Sequence, residues 1–127
     1  MVVDNPSIER AWQAIAETSP IAEADPTRPV YYFRPPAGYH SDPNGPIWHN
    51  GYYHLFYQLH PFTRGRGKGG DIYWGHGHST DLVHWEHLPP AIWPSTELGE
   101  TLCASGSTVI NPAVIYCWRR KKCRENL

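Results

Sequence analysis

The sequence predicts an all-β unit of short antiparallel strands behind one short N-terminal α-helix. Three observations carry this. The 127 residues include 6 Trp and 8 Tyr, broken by 13 Pro and 11 Gly, a composition of short aromatic strands and many turns. An Asn50-Gly51 dipeptide sits between two aromatic-rich runs, the strongest short-range hairpin signal. Finally, hairpin-like units follow one another with no helix between them, which suits either one blade of a β-propeller or a fragment of a β-sandwich.

The elements follow in order. Residues 5–17 form the helix: Asn5 caps it, Pro6 suits its first position, and Ile8, Ala11, Trp12 and Ile15 make one apolar stripe. Ser19-Pro20 ends it, and residues 20–29 are a proline-containing linker. Residues 30–33 are a short strand stopped by Pro35-Pro36. Residues 42–46, Asp-Pro-Asn-Gly-Pro, are a dense turn. Residues 47–48 and 52–58 are strands joined at Asn50-Gly51, the second apolar on both faces and so buried between layers. Residues 63–70 are a basic glycine-rich loop without the spacing of a phosphate loop. Strands follow at 72–78, 83–88 and 102–110, with a turn at Thr80-Asp81 and breaks at Pro89, Pro90 and Pro94. Three segments result: helix and linker over 1–27, the β unit over 28–110, and a tail over 111–127 whose Cys117-Trp118 and Arg119-Arg120-Lys121-Lys122 lack any period, as in a segment outside the fold.

Charge and length exclude several functions. Eleven basic against twelve acidic side chains leave a net charge of −1, so no field steers the chain to nucleic acid or to an anionic membrane. No run approaches the ~20 apolar residues of a membrane span. The N-terminus lacks the basic and apolar regions of a secretory signal, so a cytoplasmic location is expected. Cys103, Cys117 and Cys123 are odd in number and lack Cys-x-x-Cys spacing, so plain thiols are expected.

Two constellations carry chemistry. Eight histidines are present, and His76-x-His78 with His84 and His87 invites a metal reading. No carboxylate or thiolate supports a recognised ligand spacing, so no metal and no cofactor is expected. Asp42 is more informative. The rigid Pro43-Asn44-Gly45 turn fixes the direction of its carboxylate and brings backbone donors near, which a nucleophilic carboxylate needs. The competing reading is an Asx-type turn residue.

The wider run separates these readings. Arg28-Pro29, Tyr31, Phe33, Pro35-Pro36 and Gly38 precede Asp42-Pro43-Asn44-Gly45. Tyr53-His54-Leu55-Phe56-Tyr57-Gln58, Tyr73-Trp74-Gly75-His76, Ser79-Thr80-Asp81-Leu82-Val83-His84-Trp85 and Ser105-Gly106-Ser107 follow. In order and spacing, residues 28–110 resemble the opening of the catalytic domain of glycoside hydrolase family 32, the invertases, levanases, inulinases and sucrose-6-phosphate hydrolases. The resemblance implies a partial five-bladed β-propeller, its first blade and part of the second. It implies Asp42 as the nucleophile of a retaining two-carboxylate mechanism on β-fructofuranosides, on sucrose-, levan- or inulin-type oligo- or polysaccharides. It also implies Ser41, Gln58 and Ser105 as sugar-binding residues, with Trp74 shaping the wall. Trp85 is expected in the blade core.

The chain departs from the family at several points. The family's Trp-Met-Asn before the nucleophile is Tyr39-His40-Ser41 here, and Ser41 lacks the paired donor and acceptor of an Asn amide. Ala104 replaces an aromatic before Ser105, and Gly69-Gly70-Asp71 replaces a Trp-Gly-Asn loop. The Arg-Asp-Pro motif and the Glu-Cys motif that carries the general acid are absent, and Glu86, Glu97 and Glu100 stand in other contexts. The chain is therefore expected to be a fragment, unstable and inactive alone, since general acid help is worth ~10²–10⁴-fold. A non-catalytic carbohydrate-binding fragment with aromatic platforms and a His-rich metal protein are the rival readings.

Overall fold

A computed structural model describes residues 5–63, 72–100 and 102–111 and the backbone of 114–119. The order is α1 (Pro6–Glu23), β1 (Tyr39–His49), β2 (Tyr52–His60), β3 (Tyr73–Ser79), β4 (Glu86–Ile92), a 3₁₀ turn (Thr96–Leu98), β5 (Gly106–Asn111) and β6 (Val114–Arg119). Strands β1 to β4 form an antiparallel meander in sequence order, the shape of a single blade. Strands β5 and β6 form a second antiparallel pair. The all-β expectation with a short leading helix holds.

Helix α1 starts where capping chemistry places it: Asn5 Oδ1 accepts from the Ser7 amide at 2.9 Å, with Pro6 as first residue. It does not stop at Ser19-Pro20 but continues to Glu23. Pro20 withholds one amide donor, from the Ala16 carbonyl, and the helix accepts that single loss; just before it the hydroxyls of Thr18 and Ser19 bond back to the carbonyls of Ala14 and Ile15, each at 2.8 Å. The apolar stripe then reaches one turn further, to Ala22. Residues 24–38 form a looped arm, and the strand expected at 30–33 is absent. The Arg28 guanidinium donates to the carbonyls of Pro35 (2.7 Å) and Pro36 (3.1 Å) and curls the arm onto itself. Tyr32 takes a left-handed φ of 81° and Val30 is 93% exposed. Of residues 30–33 only Phe33 turns inward, edge-on to Tyr57 and Trp85 at 5.0 Å each, where Trp85 is half-buried.

The turn expected at 42–46 is instead strand. The pairing of β1 with β2 explains how a turn-like sequence becomes one. His40 opposes Leu59 and Pro43 opposes Tyr57, so three steps on β1 match two on β2. Asn44 opposes Phe56 and Ile47 opposes His54, again three against two. Each mismatch is a β-bulge, one extra residue, beside a proline that an edge strand tolerates. The hairpin forms as expected, with Asn50 at φ 48° and Gly51 at φ 85°, both in the left-handed region a primed turn needs.

Strand β4 begins at Glu86, later than expected, and runs through Pro89 and Pro90, which sit on the edge of the described sheet. Residues 102–105 are not strand; β5 begins at Gly106. Its partner β6 lies inside the segment whose texture set it apart, so strand pairing does not end at residue 110. The basic loop falls almost wholly on residues 64–71, outside the described residues, as do residues 120–127.

Strand β2 is covered on both sides, as its composition indicated. On one face Tyr57, Leu59 and Tyr73 meet Ala11 and Ile15 of α1 and Ala37. On the other, Phe56 and Trp74 meet Cys103, with Ile47, Ala91 and Ile92 around them. Burying each large side chain contributes about 1.5–3 kcal/mol. Gly75 lets Tyr57 lie flat across β3: a Cβ there would stand 2.3 Å from the ring. Burial pushes the Tyr57 phenol well above its ordinary range.

Candidate active site

The first bulge builds the site. Neighbouring residues on a regular strand point to opposite faces. Between His40 and Pro43 the extra residue sets Ser41 and Asp42 together opposite Gln58. The Ser41 hydroxyl donates to Gln58 Oε1 at 3.0 Å. Gln58 Nε2 donates to Ser105 Oγ at 3.1 Å. The Ser105 hydroxyl donates to Asp42 Oδ2 at 2.8 Å. Four of the five residues named from sequence thus form one hydrogen-bonded chain that ends on the exposed carboxylate of Asp42. Earlier on β1, edge-on to Tyr57 at 6.4 Å, His40 is held below its ordinary range by burial.

Trp74 does not join them, and its expected place in the sugar-facing wall is corrected. It opposes Gln58 on β3 but is 0% exposed, packed with Phe56 and Cys103. Its indole Nε1 donates to the Ala104 carbonyl at 3.0 Å. It therefore supports the residue before Ser105 from beneath, because a large aromatic between two strand faces is worth more as buried area than as a rim.

The second bulge attaches β5. Asn44 is 1% exposed; its Oδ1 accepts from the Gly106 amide at 3.1 Å and its Nδ2 donates to the Asp42 carbonyl at 3.3 Å. Thr108 Oγ1 donates to the Gly45 carbonyl at 2.7 Å. Gly45 has φ 43°, and a Cβ there would stand 2.4 Å from Thr108 Cγ2. These residues clamp Ser105 against Asp42; from sequence Asn44 and Gly45 are turn formers and Thr108 a residue of the strand expected at 102–110. The burial of Asn44 and the partners of its amide follow from the register of β1 with β2, which the sequence does not give.

The remaining candidates lie elsewhere. Glu86 pairs with His78 at 2.9 Å, and Glu100 accepts from the Ser95 amide at 3.0 Å. His54 Nδ1 and His76 Nε2 share a hydrogen bond of 2.9 Å, and His76 stacks on Phe56 at 4.4 Å. Burial, then the nearby His54 and His78, pushes His76 down to about 3. Among the described residues no group of three or more His, Cys, Asp or Glu is arranged to hold a metal ion. Among them also, no helix is long and apolar enough to cross a membrane.

Residues 32–124 match the family model described as glycosyl hydrolases family 32 N-terminal domain. The chain belongs to this family. Its family 32 relatives include sucrose-6-phosphate hydrolase of Escherichia coli, 44% identical over 87 residues, which cover 68% of this chain and 18% of that protein. The solved structure of sucrose-6-phosphate hydrolase from Lactobacillus gasseri superposes with a TM-score of 0.76 at 33% identity, over 91% of this chain and 23% of that one. Fructan 1-exohydrolase IIa from Cichorium intybus, solved in complex with 1-kestose, gives a TM-score of 0.58 at 48% identity over 65% and 15%. The chain thus spans less than a quarter of each of these family 32 proteins.

Proposed function

We propose that this chain supplies the nucleophile of a β-fructosidase. The single observation that carries the reading is the exposed Asp42 carboxylate held by Ser105 at the end of the Ser41–Gln58–Ser105 chain. Asp42 attacks the anomeric carbon of a β-linked fructosyl unit and forms a fructosyl ester; a protonated second carboxyl donates to the departing oxygen; water then cleaves the ester with retention. Gln58 and Ser105 present polar groups beside the reacting carbon and read fructose hydroxyls. The blade of β1 to β4 and the start of a second at β5 take their place in a five-bladed ring around Asp42.

The substrate class is a fructose-containing oligo- or polysaccharide, supported by the names of the relatives and by the kestose bound to one of them. The Glu-Cys segment that carries the acid is not within the 127 residues, so the chain alone is inactive. The test is a graft: the matching 87 residues of the E. coli relative are replaced by the corresponding stretch of this chain, and sucrose hydrolysis is followed. The grafted enzyme hydrolyses sucrose, and Asp42→Ala lowers its kcat by about 10⁴-fold or more. An unchanged rate in that variant would remove the mechanism.

A further inference from the structure

The direction of the hydrogen-bond chain is fixed by proton accounting that starts at Asp42. A carboxylate only accepts, so the single Ser105 proton goes to Oδ2. Ser105 Oγ is then left as an acceptor, and Gln58 must turn its NH₂ toward it. The Gln58 carbonyl consequently faces Ser41, whose hydroxyl must donate. With the amide reversed, Ser105 would stand between two acceptors with one proton, and a contact would be lost.

We propose that Ser41 is a positioning residue and not a sugar contact. Its hydroxyl, brought beside Asp42 by the bulge, holds the carbonyl end of Gln58 while Ser105 holds the amide end. Gln58 has three side-chain torsions, and a hold at one end leaves the amide plane free to rotate. Held at both ends, the amide keeps Ser105 aimed at Oδ2 and leaves Oδ1 as the attacking oxygen. Ser105 then meets a sugar as an acceptor only, so it selects a hydroxyl that donates. This inference rests on Asp42 being the nucleophile, but its test needs no turnover and stands apart from the Asp42→Ala rate measurement.

The chain contains two glutamines, Gln13 and Gln58. Gln13 Nε2 donates to Glu17 Oε1 at 3.0 Å on an exposed turn of α1, far along the chain from the site, and serves as the internal control. Glutamine-selective ¹⁵N labelling of the 127-residue chain resolves both side-chain amides, and their exchange with solvent is measured. Ser41→Ala is expected to speed exchange at Gln58 by about fivefold with Gln13 unmoved, while Ser41→Thr, which keeps the hydroxyl, restores the original rate. Ser41→Cys, close in volume but a weak donor, is a second loss variant beside Ser41→Ala and is expected to act as it does. Gln58 exchange that stays at the wild-type rate in both variants overturns the proposal. So does a Gln58 amide in the unsubstituted chain that exchanges as fast as a free one while the buried Trp74 indole N–H, bonded to the Ala104 carbonyl, stays protected and so shows the chain folded.

Discussion

Acidification should unfold this chain through His76, and the size of the effect follows from its surroundings. The ring stacks on Phe56 at 4.4 Å, bonds His54 at 2.9 Å, and is pushed down to about 3 from an ordinary 6.5, chiefly by burial. The unfolded chain therefore binds a proton at His76 between pH 6.5 and 3 that the folded chain refuses. Stability from this group is complete above pH 6.5 and is lost as pH falls through that window, at ~1.4 kcal/mol per pH unit. From pH 6.5 to 5 the loss is about 2 kcal/mol, a large share of the 5–15 kcal/mol that holds a typical domain. Burial also lowers His40, His54 and His87, so their contributions share the sign. Urea midpoints at pH 7, 6 and 5, compared between the chain and His76→Phe, isolate the term: the variant should lose the His76 share of the slope. Equal slopes in the two proteins, or a His76 ring that titrates near 6.5 by NMR, would refute the reasoning.

Two glycines give further outcomes. Gly75→Ala places a methyl 2.3 Å from the Tyr57 ring, which is itself buried, so urea unfolding should show a loss of about 1–3 kcal/mol; a change under about 0.5 kcal/mol would mean that β2 and β3 are not in this register. Gly45→Ala combines a φ of 43° with a 2.4 Å approach to Thr108, so it should part β1 from β5 and lower kcat of the grafted enzyme about tenfold or more; a rate within twofold of the parent would remove the clamp.

The parts of the fold that were legible are those set by local chemistry. Asn5-Pro6 and the Ile8-Ala11-Ile15 stripe mark where α1 starts and which face it buries. Asn50-Gly51 marks the hairpin because few other residues take two successive positive φ angles. Where a distant partner decides, the local signal misleads. Pro20 reads as a stop, yet packing of the apolar stripe through Ala22 carries α1 past it. Residues 30–33 read as a strand, yet Arg28 binds the carbonyls of Pro35 and Pro36 and leaves no partner strand for them. Pro89-Pro90 reads as a break, yet an edge position removes the penalty.

The site shows the same division within five residues. Asp42-Pro43-Asn44-Gly45-Pro46 consists wholly of residue types that favour a turn, and a turn by itself would scatter Ser41 and Asp42 away from Gln58. Pairing with a nine-residue β2 forces the segment to extend, and the turn-forming tendency survives as two bulges instead of one reversal. The first bulge turns Ser41 and Asp42 toward one partner; the second buries Asn44 and lets Gly45 touch Thr108. A regular strand here would keep the same residues and send Asp42 to the face opposite Ser41, away from Ser105. The identity of the carboxylate is thus readable from its neighbours in sequence, whereas its aim depends on one extra residue that only the register with β2 reveals.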